Sequence, residues 1–199
     1  MNRIVWALMV IAISLGACRP ERYTPKPRGY FKISLPEHAY QNFERADFPY
    51  HFAYPVYGVV IRDSLFFGQP TENPYWINID FPEIGGRIYI SYKEVSKHQH
   101  LGKLLEDSHE MSFTVHSKRA DYIEEQVFIH PEKRVYGILY HAGGNAASAY
   151  QFIATDSVKH FLRGALYFDV TPNVDSLRPA NEFLKQDIIH LIESLSWQD

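Results

Sequence analysis

Residues 122–170 read YIEEQVFIHPEKRVYGILYHAGGNAASAYQFIATDSVKHFLRGALYFDV, a run rich in β-branched and aromatic side chains. Turn residues interrupt it, so it predicts four consecutive strands: Tyr122–His130, Arg134–Ala142, Ala147–Thr155 and Phe161–Val170. Pro131-Glu132-Lys133 joins the first two strands. Gly143-Gly144-Asn145 joins the next two as a tight turn that needs left-handed backbone angles. Connections this short favour antiparallel pairing.

A second strand pair precedes this run. Tyr75–Phe81 alternates polar with apolar positions, which is the pattern of a half-buried strand, and Gly85-Gly86 then supplies a turn into Arg87–Tyr92. Residues 36–49 are expected to be irregular and residues 63–74 to form a loop. Nearer the N-terminus we expect strands at Tyr30–Leu35, Tyr50–Tyr54 and Gly58–Ile61.

Two segments show helical periodicity. Residues 95–112 repeat apolar side chains at intervals of three and four, beginning with Leu101 and Leu104. A last helix is predicted from Pro179 to Trp197, with Pro179 in its first turn and one apolar stripe along it. We expect both helices to cover one face of the sheet. The chain is therefore predicted to be α+β, mainly antiparallel sheet, with an element order similar to that of a PsbP-like αβα sandwich.

The N-terminus has the order of a lipoprotein signal peptide, residues 1–17. Arg3 precedes an apolar run of about 12 residues, too short to span a bilayer that needs roughly 20 helical residues. Leu15-Gly16-Ala17-Cys18 then places small residues before the chain's single cysteine. We expect cleavage between Ala17 and Cys18 and acylation of Cys18. A plain secretory signal or a short membrane anchor are the alternatives.

Residues 18–28 are predicted to be a proline-rich tether, and residues 29–199 a single globular domain. The basic, aromatic segment that follows Cys18 is a candidate for partner contact, because proline-rich chains lose little entropy on docking. A spacer without a partner is the alternative. Its residues are Tyr23, Pro25, Lys26, Pro27, Arg28 and Tyr30. Tyr75 and Trp76 are a second candidate, although Trp76 also suits core packing.

Composition excludes several classes of protein. Apolar residues make up 46% of the chain and aromatic residues 15%, which is typical of a packed globular domain. The formal charge is −3, and −4 once Arg3 leaves with the signal peptide, so binding to nucleic acid is not indicated. With one cysteine, the exported domain has no internal disulfide.

No catalytic or metal-binding motif stands out, so we predict neither an enzyme nor a cofactor. His98 and His100 lack the spacing of a helical ligand pair. His141 and Ser148 flank one hairpin turn without a G-x-S-x-G elbow. Asp80 with Glu83, and Asp169 with Asp175, follow strands where acids commonly make local hydrogen bonds. Gly164, next to Arg163, marks a close approach that serves packing or docking.

Several segments resemble the gliding motility lipoprotein GldD family of the Bacteroidota. They include Tyr23-Thr-Pro-Lys-Pro-Arg-Gly-Tyr-Phe31, Asn73-Pro-Tyr-Trp-Ile-Asn78, Gly143-Gly-Asn-Ala-Ala-Ser148 and Phe161-Leu-Arg-Gly-Ala-Leu-Tyr-Phe168. The resemblance implies an accessory of the gliding machinery, which overlaps the type IX secretion system. Other envelope proteins of that set, lipoproteins included, are the implied partners. It carries no defined biochemical activity.

The residues after Cys18 also bear on which face of the membrane carries the protein. Surface-exposed lipoproteins of this phylum often carry an acidic cluster there, whereas this chain has Arg19-Pro-Glu-Arg22. We therefore expect the periplasmic face of the outer membrane. A periplasmic ligand-binding lipoprotein, with a pocket between sheet and helices, is the main alternative. An envelope hydrolase is a weaker alternative.

Overall fold

A computed structural model of the chain describes residues 34–66, 69–114 and 118–198. The predicted signal peptide (1–17) and tether (18–28) lie outside these residues. The strands are β1 (Tyr40–Phe43), β2 (Tyr50–Pro55), β3 (Val59–Arg62), β4 (Leu65–Phe66), β5 (Gln69–Pro70), β6 (Ile77–Phe81), β7 (Gly86–Glu94), β8 (Ala120–His130), β9 (Val135–Gly144), β10 (Tyr150–Thr155), β11 (His160–Phe168) and β12 (Ser196–Trp197). The helices are α1 (Leu101–Thr114) and α2 (Val174–Ser194), and Pro131–Lys133 forms a 3₁₀ turn.

Seven strands form the central sheet, in the order β3-β6-β7-β11-β10-β9-β8. All of its pairings are antiparallel, as the short connections predict. The predicted β6–β7 hairpin is confirmed, with Asp80 opposite Arg87. Gly144 has a φ of +80°, so the left-handed geometry expected at the second hairpin is also confirmed. A three-stranded sheet, β1-β2-β12, and the β4–β5 pair complete the architecture.

The two helices pack on opposite faces of the central sheet. Consecutive residues of β10 show this, because their side chains point to opposite faces of the sheet. Phe152 belongs to the hydrophobic cluster that contains α2 residues, whereas Ile153 belongs to the hydrophobic cluster that contains Leu104 of α1. The expectation that both helices cover one face was therefore wrong. Each helix carries a single apolar stripe, and a sheet with apolar side chains on both faces needs a cover on each.

The predicted helix limits need two corrections. The last helix begins at Val174 rather than Pro179, because the Asn173 side chain caps it by accepting a hydrogen bond from the backbone N–H of Ser176 (3.1 Å). Pro179 thus lies inside the helix rather than in its first turn. The first helix begins at Leu101, six residues after the predicted start at 95, because residues 96–99 form a hydrogen-bonded turn.

Three short pairings escaped the sequence analysis. Residues 36–49 are not irregular throughout, since β1 pairs with β2 and places Phe43 opposite Phe52. Ser196–Trp197 leaves the helical path and pairs with β2, and the expected loop at 63–74 contains the β4–β5 pair. Of the predicted strand Tyr30–Leu35, residues 30–33 lie outside the described part, and Ser34 and Leu35 are not in a strand.

A buried carboxylate fastens the small sheet to α2. Asp187 of α2 is 1% exposed, and its Oδ1 faces His38 Nδ1 (2.8 Å) and accepts from the Tyr40 hydroxyl (3.1 Å). Its Oδ2 accepts from the Tyr57 hydroxyl (2.5 Å). Burial, together with the charge of Asp187, raises the pKa of Tyr40 to about 12. The tyrosines therefore stay protonated as donors, and the carboxylate has the hydrogen bonds that its burial requires.

Close packing explains the glycine beside Arg163. Gly164 lies opposite Phe152 in the β10–β11 pair, and a Cβ added at Gly164 would lie 2.1 Å from the Phe152 ring. Phe152 is 1% exposed, so its ring has no solvent to move into. This glycine therefore serves core packing.

We predict that Gly164→Ala lowers the free energy of unfolding by about 1–3 kcal/mol, because overpacking must displace a buried ring. Gly102→Ala is the matched control. Position 102 lies in α1 with no atom within 4 Å of an added Cβ, so alanine should be neutral or slightly stabilising there. Urea unfolding of both variants measures the difference. Equal midpoints for the two would contradict the packing argument.

Candidate functional site

Most residues predicted to contact a partner lie outside the described part of the chain. They are Tyr23, Pro25, Lys26, Pro27, Arg28 and Tyr30. The predicted cleavage and acylation residues, Ala17 and Cys18, also lie outside it. The acylation of Cys18 and the docking of the tether therefore stay predictions.

Tyr75 and Trp76 are partly buried and bonded to the sheet. The Tyr75 carbonyl accepts from the Tyr50 hydroxyl (2.5 Å), and the Tyr75 ring meets the Tyr92 ring edge-on at 5.6 Å between centroids. The Trp76 indole N–H donates to the Tyr92 carbonyl (2.9 Å). Asn73 donates to the same carbonyl (2.9 Å), so this segment braces β7. Partner contact through Tyr75 and Trp76 stays a prediction.

The residues weighed for catalysis or metal binding are engaged separately. Ser148 donates to the Tyr150 carbonyl (3.1 Å), whereas the Nδ1 of His141 faces Glu124 (3.4 Å). Asp80 accepts two hydrogen bonds from Arg87, at 2.5 and 2.8 Å. Within residues 34–66, 69–114 and 118–198, no group of three His, Cys, Asp or Glu side chains is placed to share a metal ion.

A groove of about 380 Å³ opens between α2 and strands β8, β9 and β10. Sequence reasoning did not find it, because its residues come together only through the crossing of α2 over the sheet. The one hint was His141, which alternation places on the same face as Leu139. The lining residues are Glu124, Glu125, Gln126, Leu139, His141, Tyr150 and Lys185.

Tyr150 forms the aromatic floor of this groove. The His141 ring stacks on it, with 4.7 Å between centroids, and Lys185 Nζ lies 5.5 Å from its centroid. Its hydroxyl donates to Glu182 (3.0 Å). Burial first, and then this carboxylate, raises the pKa of Tyr150, so the phenol stays protonated at neutral pH. Because Tyr150 is 1% exposed, the groove offers a ligand both signs of charge, from Lys185 and from Glu124 and Glu125, rather than a free aromatic surface.

Strand β8 is an edge of the central sheet. It pairs with β9 on one side, and no strand of the described part pairs with its other side. Val127 and Ile129 project from it with 63% and 61% exposure. An eleven-residue edge with exposed apolar side chains is a template for a further strand. The sequence predicted this strand without showing that it lies at an edge.

None of the helices in the described residues is long and apolar enough to cross a membrane. Among solved structures, the solution structure of cyanobacterial PsbP (CyanoP) from Synechocystis sp. PCC 6803 is similar to this chain. The two share 13% sequence identity with a TM-score of 0.50, over 88% of this chain and 100% of that one. At this identity the likeness concerns the fold alone, and it confirms the predicted sandwich.

No curated protein matches the sequence significantly. A scan against protein families, however, matches the gliding motility lipoprotein GldD over residues 20–197. This range includes every described residue up to Trp197 and extends into the segment that follows Cys18. The chain therefore belongs to the GldD family of gliding motility lipoproteins, which are membrane-anchored proteins of the cell envelope.

Proposed function

We propose that this protein is a lipid-anchored, non-enzymatic accessory of the gliding machinery that supports type IX secretion through protein contacts. The family match over residues 20–197 carries the proposal. The signal sequence ahead of the match supports it, because Cys18 stands where acylation requires a cysteine. Two or three acyl chains such as palmitate, at about 0.8 kcal/mol per buried methylene, hold a domain on a membrane almost permanently.

The engagement of the candidate catalytic groups supports a non-enzymatic role. A nucleophile needs a base within hydrogen-bond reach, and Ser148 instead donates to a backbone carbonyl. Paired carboxylates need separate environments to divide acid and base roles, and Asp80 is held by Arg87. Tyr150, the aromatic residue of the groove, stays protonated and bonded to Glu182.

The outer edge of β8 supports docking by strand addition. Backbone groups on the side that no described strand pairs with would provide affinity, and alternate side chains would provide specificity. Val127 and Ile129 lie on one face of the strand, so a partner strand would gain apolar neighbours on that face. On the periplasmic face of the outer membrane, to which we assign the protein, this edge would meet other envelope components.

A ligand-binding lipoprotein is the second candidate, and the groove over Tyr150 favours it. Its volume of about 380 Å³ lies within the range of small-molecule sites, and its lining includes charged side chains from both a helix and the sheet.

The lipid anchor gives the first prediction of this proposal. Cys18→Ala should abolish spreading and adhesin secretion, because the unacylated domain leaves the membrane. Ala17→Gly, which keeps a small residue at the cleavage position, should behave as the parent does. Colony spreading, adhesin detection at the cell surface and mass spectrometry of the mature N-terminus measure the result. Normal spreading by Cys18→Ala would reject the anchored role.

The edge strand gives the second prediction. The double substitution Val127→Lys and Ile129→Lys should reduce spreading without lowering the thermal unfolding temperature, because lysines on an edge oppose strand pairing. Val158→Lys is the control, since Val158 is 73% exposed in a turn. Docking through β8 is wrong if the double variant spreads as well as the control.

The groove gives a third prediction, which separates the two candidate functions. A ligand-binding protein extracted from cells should carry a small molecule that native mass spectrometry detects. Lys185→Gln should lose it, because that lysine stands over the aromatic floor, and Lys103→Gln on exposed α1 should keep it. The accessory role alone predicts the same apo mass for all three proteins.

A further inference from the structure

Arg163 lies in β11, the middle strand of the seven-stranded sheet. It pairs with Ser91 on one side and Ile153 on the other, so its side chain emerges on the face that α1 packs against. The guanidinium donates from Nη2 to the Gln151 side-chain oxygen (2.5 Å), and the Tyr167 hydroxyl lies beside it. Its Nε is buried and has no hydrogen-bond acceptor within the part of the chain that the structure describes.

The acceptors around Arg163 are neutral. No carboxylate in residues 34–66, 69–114 or 118–198 forms an ion pair with Arg163. Asp80, on the same face, is already held by both donors of Arg87. A partly buried arginine normally has an acid partner, because taking the charge out of water is unfavourable. Burial accordingly lowers the pKa of Arg163, which nevertheless stays charged.

Packing alone does not explain this residue. Gln151, which accepts from Arg163, also accepts from Ser112 of α1 (3.3 Å), so the network ends in neutral groups. An apolar side chain of similar volume would fill the site without an unpaired charge, and such replacements are often neutral or stabilising. A charge kept at this position therefore points to an anion that residues 34–66, 69–114 and 118–198 do not supply.

The sheet beside Arg163 is only partly covered, because the Arg87, Tyr89, Arg163 and Tyr167 side chains are half-buried. Helix α1 packs over Tyr140, Ile153 and Phe161, and no helix of the described part packs on the same face of β3, β6 and β7. We call this region the open face; it comprises Val59, Ile61, Arg87, Tyr89, Arg163 and Tyr167. Val59 and Ile61 are 51% and 44% exposed. The Tyr89 and Tyr167 rings meet edge-on, 5.7 Å apart.

We propose that the open face binds an acidic segment of a partner protein, with Arg163 holding the carboxylate of an aspartate or glutamate side chain. Arginine forms two parallel hydrogen bonds with a carboxylate, and tyrosine and arginine are enriched in interface centres. The exposed Val59 and Ile61 give apolar contacts at the far edge of the same face, three strands from Arg163. The inference rests on the proposed function only in taking the partner to be a protein of the envelope.

A membrane surface fits the open face less well than an acidic peptide does. Binding to anionic lipid takes clusters of several basic side chains, and Arg87, the second arginine of the face, is neutralised by Asp80. The formal charge of the mature chain is also negative, −4 from the −3 of the full chain less Arg3. A single guanidinium without an ion pair among the described residues matches a single carboxylate.

The test uses the acylated mature protein in nonionic detergent and two capped peptides, Val-Glu-Val-Glu-Val and Val-Gln-Val-Gln-Val. Backbone amide shifts at residues 89–91 and 163–165 measure binding. We expect saturable binding of the glutamate peptide and at least tenfold weaker binding of the glutamine peptide. This comparison needs no variant, so it stands even if a substitution at position 163 disturbs folding.

Variants then test whether the binding depends on the charge of Arg163. Arg163→Met should weaken the glutamate peptide at least tenfold while its unfolding midpoint stays equal or rises, and Arg178→Met, an exposed arginine of α2, should bind as the parent does. Equal binding of both peptides, or of the parent and Arg163→Met, overturns the proposal. So does binding of phosphatidylglycerol vesicles that depends on Arg163 and excludes the peptide. The motility role is decided separately, by the Cys18 and β8 variants.

Discussion

Burial of the α2 stripe against the central sheet is the interaction on which the rest of the molecule depends. Leu184, Ile188 and Leu191 are each 0–1% exposed and close the core that β6, β7, β10 and β11 form. Such side chains contribute about 1.5–3 kcal/mol each when fully buried. The same helix fixes the small sheet, because its Ser194 accepts from the Ala53 N–H (2.8 Å) and its Asp187 binds Tyr40 and Tyr57.

Periodicity predicted the central sheet because its strands are long and local in sequence. Strands β8 to β11 follow one another, and the turn chemistry at Gly144 sets their direction. Strands β1 and β12 were missed for the opposite reason. Each is short, and each owes its conformation to pairing with β2, a contact distant in sequence that no local pattern reports. The helix start at Val174 was missed because Pro179 is a more visible signal than the Asn173 cap.

The candidate sites were harder to predict than the fold, and for a physical reason. The groove needs Lys185 of α2 and Tyr150 of β10 to meet, which depends on where the helix crosses the sheet. Sequence analysis identified the Arg163-Gly164 pair as a point of close approach, but it could not decide whether the pair serves core packing or docking of a partner. The structure divides the two roles between adjacent residues on opposite faces. Gly164 accepts the Phe152 ring on the α2 side, and Arg163 faces the side that α1 covers only in part.

Anchoring and weak docking complement each other in the proposed role. A contact between a carboxylate and an arginine gives only a modest affinity between molecules that diffuse freely in water. If Cys18 holds the domain on the same membrane as its partner, the effective concentration rises, and a modest contact becomes sufficient without a large interface. An exposed edge and an open face are then tolerable in a membrane-tethered domain, since neither needs to be strongly apolar. The same reasoning explains why loss of the lipid should matter more than loss of either surface.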